Sequence, residues 1–172
     1  MVEALVLVVF PFCMAYAAIS DMITMTIANR VSLLLVAVFL VAAPLAGMPM
    51  ADIGMHLLAG LLVLAVTFAL FAIGTMGGGD AKLLAATAVW MGLGMSLAEY
   101  VVIGSVFGGA LTLLILVYRN SPISDVTGHF VLLRKFSDRR VGIPYGVALG
   151  LSGLVVFPTS PMGLWAIETL AR

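Results

Sequence analysis

Cysteine occurs once in this 172-residue chain, as Cys13 inside an apolar run. That excludes an internal disulfide and any zinc centre built from several cysteines. A lone thiol among apolar neighbours reads as a small packing or lipid-facing residue. Charge is almost as scarce: 8 Lys and Arg against 8 Asp and Glu, 9% of the residues, with a formal net charge of zero. At a pI of about 6.7 there is no basic surface suited to nucleic acid, and none is expected as a partner. The two histidines, His56 and His129, have no ligand partners nearby in the sequence and read as structural. No metal and no other cofactor is expected. The chain also lacks a fixed-period repeat, a low-complexity stretch, a nucleophile elbow, and any Ser/His or Cys/His arrangement of the kind covalent catalysis uses.

What the chain has in abundance is apolar sequence. Hydrophobic residues make up 63%, and the mean hydropathy is +1.25, far from the balance of soluble domains. This is the composition of an integral membrane protein, with the lipid bilayer as its solvent. A spanning helix needs roughly 20 apolar residues. Six runs approach that length, at residues 2–20, 31–46, 53–74, 81–97, 100–118 and 143–157. The expected fold is all-α and polytopic, about six transmembrane helices forming a single domain over 1–172. Pro44 to Pro49 breaks the second run from the third, and a tight turn is expected at Gly94 to Glu99. Eleven methionines scattered through these runs read as flexible packing.

Six spans sort the charges. Arg30, Lys82, Arg119, Arg134, Lys135, Arg139 and Arg140 fall on one side, leaving Arg172 on the other. The positive-inside rule makes the first side cytoplasmic, with both termini outside along with Glu3, Asp52, Glu99 and Glu168. Ala15-Tyr16-Ala17 resembles a signal-peptide cleavage site, but the only early charge is Glu3, where a secretory signal carries basic residues, so the first run is read as a span. The longest polar segment, about 119–142, becomes a cytoplasmic loop. Val126, Phe130, Leu133 and Phe136 recur in it near helical spacing, as in either a surface amphipathic helix or an ordinary solvated loop.

Two carboxylates then stand out. Asp80 follows Gly77, Gly78 and Gly79 where the fourth run begins. Taken alone it reads as a helix N-cap, with glycines forming the turn. Asp21 lies where the first run reaches the same side, at a helix C-terminus, an electrostatically unfavourable place for an acid. Asn29 reads as a cap for the second helix and Arg30 as an interfacial anchor. The first and third runs both travel inward, so Asp21 and Asp80 arrive at one membrane face and can meet. Two carboxyls held close do not both ionise easily, and such a pair supplies a general base and a general acid together. It can activate water against a peptide carbonyl without a covalent intermediate. The glycines would let an extended substrate backbone approach Asp80. Lys82, two residues beyond it on a helix, is expected on a different face, snorkelling to the interface.

These residues carry a resemblance. Gly77-Gly78-Gly79-Asp80 fits the GxGD motif of membrane aspartyl proteases, and the continuation Ala81-Lys82-Leu83-Leu84-Ala85 resembles the type IV prepilin peptidases in particular. Asp21, Thr24, Ile27 and Asn29 are similar to that family's first-aspartate segment, D-x-x-T-x-x-I-x-N, and Pro144-Tyr145-Gly146 opens the last run in a similar way. Proline at a first helical turn is also common on geometric grounds alone. The resemblance implies a GxGD protease-like arrangement in the inner membrane with its active site facing the cytoplasm. It implies an endopeptidase that removes the short basic leader from prepilins or pseudopilins, with Asp21 and Asp80 as the catalytic pair. Gly77, Gly78, Gly79, Lys82, Pro144, Tyr145 and Gly146 would then bind substrate or support the loops. Larger relatives carry a cytoplasmic domain with two CxxC pairs and many also methylate the new amino terminus. With one cysteine and no room for that domain, this chain resembles the compact CpaA/TadV-type form of tight-adherence (Flp) pilus systems, without methylation. Ala28 stands where many relatives have proline. The competing reading from another class is an ion-coupled transporter or channel component that uses Asp21 and Asp80 as an ion or proton site.

Overall fold

The structure, a computed structural model, describes residues 1–123, 135–138 and 141–171. Its helices are α1 (Val2–Thr24), α2 (Asn29–Leu45), α3 (Met50–Ala72), α4 (Gly78–Met91), α5 (Met95–Arg119) and α6 (Tyr145–Val156), then a 3₁₀ turn (Phe157–Thr159) and α7 (Pro161–Leu170). The described residues contain no strand. Each apolar run of the sequence corresponds to one of α1 to α6. Three helices, α1, α3 and α5, are each long and apolar enough to cross a membrane, and α6 with α7, bent by 55°, passes the same test as a pair. With α2 as a shorter apolar helix of 17 residues, the chain is an all-helical polytopic membrane protein.

Two local expectations change. The turn between α4 and α5 lies earlier than Gly94 to Glu99, because Gly92 takes a left-handed φ of 69° that stops α4 and Met95 already begins α5. Beyond the sixth run, α7 forms as a separate helix. Ser160 caps it by accepting the Gly163 N–H at 3.2 Å, and Pro161 occupies the first turn, a start signal present in the sequence.

Lipid tails are as apolar as leucine, so helices in a bilayer associate through close van der Waals packing at small residues. The α1–α6 pair shows this directly. Gly146, Gly150 and Gly153 recur along one face of α6, and a Cβ on Gly150 would stand 2.6 Å from the Met14 carbonyl oxygen and 2.8 Å from the Ala18 Cβ. Gly153 meets the Met14 side chain in the same way. On the other side of the bundle, Gly60 of α3 lies against Val89 and the Ala85 carbonyl of α4. An aromatic cluster joins these pairs: Phe10 stacks on Phe157 at 4.3 Å and meets Trp90 at 5.1 Å, and Phe39 reaches Trp90 at 5.8 Å. The Trp90 indole N–H donates to the Leu35 carbonyl at 3.0 Å, so its one polar atom is satisfied in an apolar interior. Cys13 is buried here as a packing residue. The outward faces of α1, α3 and α5 carry exposed Phe12, Phe68, Leu113 and Leu114, the surface a bilayer covers.

The bundle has two distinct ends. At one, Asp21, Arg30, Lys82 and Arg119 lie at the termini of α1, α2, α4 and α5. The Arg119 guanidinium donates to the carbonyls of Phe136 and Val141 at 2.7 and 2.8 Å, and the Lys135 ammonium donates to the Ile23 carbonyl at 2.6 Å, which ties the loop onto this end. At the other end, Glu3 opens α1 and Asp52 opens α3. Arg134, Arg139, Arg140 and Arg172 lie outside the described residues, as do His129 and Val126, Phe130 and Leu133 of the expected amphipathic helix.

Candidate active site

Asp21 occupies the last turn of α1. The helix is stopped by Met25, whose left-handed φ of 57° is unusual for a non-glycine residue and whose N–H donates to the Asp21 carbonyl at 2.8 Å. A carboxylate at a helix C-terminus opposes the macrodipole. Here a second helix compensates. Oδ2 of buried Asp21 accepts the N–H of Gly146 at 2.7 Å, in the first turn of α6, where backbone donors have no partner within the helix. Pro144 precedes α6 as its cap residue, and Tyr145 reaches across to α5, its hydroxyl 3.1 Å from Thr112 Oγ1. Gly146 must lack a side chain, since a Cβ there would lie 2.8 Å from both the Asp21 Cβ and Oδ2.

Asp80 is not the N-cap of α4. Gly77 holds that position, and Asp80 is the third residue of the helix. Its carboxyl folds back over Gly77, where a Cβ would stand 2.8 Å from Oδ2. It makes no hydrogen bond among the described residues. The other two glycines permit close packing: a Cβ on Gly78 would stand 3.2 Å from the Phe71 ring and one on Gly79 3.2 Å from the Ile27 Cβ. Of the three, Gly77 lines the cavity.

That cavity measures about 660 Å³ and is lined by both aspartates with Met25, Gly77, Ile143 and Tyr145 among its walls. The carboxyls arrive from α1 and α4 and border the same space. Two carboxyl groups facing one cavity can divide the roles of proton acceptor and proton donor. Beside the cavity, Ile27 packs between α4 and α6. It is buried and touches Gly79 on the α4 side and Gly146 on the α6 side. Sequence reasoning gave it no role, although its place in the Asp21 segment was the available signal.

Lys82 faces elsewhere. Its ammonium donates to Asn29 Oδ1 at 2.9 Å, tying α4 to α2, and it lines a separate groove between α2, α3 and α4. Asn29 is therefore not a cap: Ala28 holds that position, and Asn29 spends its carbonyl on Lys82. At the opposite end His56 is a core residue, its Nδ1 2.7 Å from the Val89 carbonyl and its ring stacked on Phe39 at 5.2 Å. Among the described residues no three His, Cys, Asp or Glu side chains gather as a metal site would require.

An all-helical membrane protein with paired aspartates over one cavity, at the end where basic residues collect, is the class these features define. The chain belongs to the type IV leader peptidase family, whose model matches residues 8–116. The match contains Asp21, Gly77 to Asp80 and Lys82, and ends within α5, before Pro144, Tyr145 and Gly146. No curated protein and no solved structure matches the chain.

Proposed function

We propose that this chain is a membrane aspartyl endopeptidase that removes the short basic leader from prepilins or pseudopilins of tight-adherence (Flp-type) pili. In this reading it is the compact form of the family, cleaves without methylating, and lies in the inner membrane with six spans, both termini outside and the aspartates facing the cytoplasm. The observation that carries the proposal is that Asp21 and Asp80, from different helices, line one cavity at the end where Arg30, Lys82, Arg119 and Lys135 lie.

The chemistry follows from two carboxyl groups. One accepts a proton from water as its oxygen attacks the scissile carbonyl, while the other donates a proton to that carbonyl oxygen. Collapse of the tetrahedral species expels the amine, which leaves with a proton returned from the pair. The substrate must be locally extended at the bond, since a helical carbonyl is already engaged. Met25, Ile143 and Tyr145 form the walls against which such a segment would lie.

Co-expression with a pilin-like substrate, read by the mass of its amino terminus, tests the assignment. Asp21→Asn and Asp80→Asn are each expected to abolish leader removal while the protein stays in the membrane. Full processing by either variant refutes the catalytic pair, and ion flux in proteoliposomes without peptide cleavage would return the two aspartates to an ion-site role.

A further inference from the structure

The groove beside Lys82 is unconnected with the aspartate cavity. α2 and α3 both pack on α4 but hardly on each other, so a cleft of about 480 Å³ remains between them and opens on the lipid-facing surface. Its polarity is ordered along its length. At the inner mouth are Lys82 and Asn29; a turn deeper, roughly 4.5 Å by helical rise, is Ser32; beyond lie Val36, Leu57 and Leu61. Ser32 borders the cleft, and its buried Oγ has no hydrogen-bond partner, so a donor stands unused at the cleft wall. Lys82 has no carboxylate within ion-pair distance among the described residues, and no acidic side chain lines the groove.

A cation, then a free hydroxyl donor, then hydrocarbon is the complement of one molecule that every bilayer supplies. We propose that the groove is a binding site for an anionic phospholipid: the phosphate contacts the Lys82 ammonium, an ester carbonyl accepts from Ser32, and one acyl chain fills the apolar end between α2 and α3. A substrate helix with a basic leader fits less well, because Lys82 would meet it as a like charge. The site is independent of the peptidase reading, and its occupancy can be measured without any cleavage.

The test is native mass spectrometry of the detergent-purified full chain with added phosphatidylglycerol or phosphatidylcholine. Wild type should retain one phosphatidylglycerol in preference to phosphatidylcholine, and Lys82→Gln should lower that retention about fivefold, the worth of one interfacial lysine. Lys82→Arg should restore it, and Leu61→Trp, which fills the cleft, should lower retention of both lipids. An unchanged circular dichroism spectrum verifies that each variant is folded. Equal retention of the two lipids by wild type, or undiminished phosphatidylglycerol on folded Lys82→Gln, overturns the proposal. So does displacement of the lipid by a synthetic prepilin transmembrane segment, which would make the groove a substrate-helix site.

Discussion

Asp21 shows how a single side chain can be unfavourable on its own helix and well placed in the molecule. Its carboxylate opposes the dipole of α1 yet accepts an amide from the first turn of α6, so the same charge that strains one terminus satisfies another. The arrangement leaves little space. Gly77 and Gly146 both border aspartate carboxyls so closely that a methyl group would collide with an oxygen at 2.8 Å. Gly77→Ala should therefore displace the Asp80 carboxyl while leaving α4 formed. Since a misplacement of about 1 Å can cost on the order of a hundredfold in rate, leader removal should fall by about that factor at unchanged protein level. Wild-type processing by Gly77→Ala would mean that the carboxyl position seen here is not the working one. At this scale the sequence was a partial guide. The triple glycine before Asp80 is visible in the sequence, but the neighbour Gly79 approaches is Ile27, some fifty residues earlier, which no local pattern indicates.

At the scale of elements, the α1–α6 contact sets the site, because it brings the Gly146 amide to Asp21. That contact rests on the glycine face of α6 and has no slack at Gly150. Gly150→Leu should force the two helices apart and destabilise the protein by about 1–3 kcal/mol, with loss of processing as Asp21 loses its partner. Gly109 of α5 makes the control, for nothing stands within 4 Å of a Cβ there and Gly109→Leu should be tolerated. Thermal unfolding in detergent separates the two, and equal midpoints would show that the α6 glycine face is not a packing surface. The positions of α1 to α6 were readable from apolar run length. α7 lies beyond what apolar run length shows, although Ser160 and Pro161 announce its start.

For the whole molecule, the charges predict orientation. Arg30, Lys82, Arg119 and Lys135 gather at the aspartate end, so that end is expected in the cytoplasm. Alkaline phosphatase, active only outside, should be active when fused after residue 171 or at Gly47, and inactive after Asn120. Activity at Asn120 would invert the topology and place the aspartates away from a cytoplasmic leader.

Already legible along the linear chain are its membrane character, the course of α1 to α6, and the gathering of Asp21 and Asp80 at one end with Arg30, Lys82, Arg119 and Lys135. Run length, charge and connection order are properties of the linear chain, and alternation of direction carries them into space. Only the packed bundle reveals that the start of α6 holds Asp21, that Ile27 fills the space between α4 and α6, and that Asn29 is the partner Lys82 finds across on α2. Those outcomes depend on which surfaces pack together, and close packing at glycine is settled by neighbours far along the chain, which no local pattern specifies.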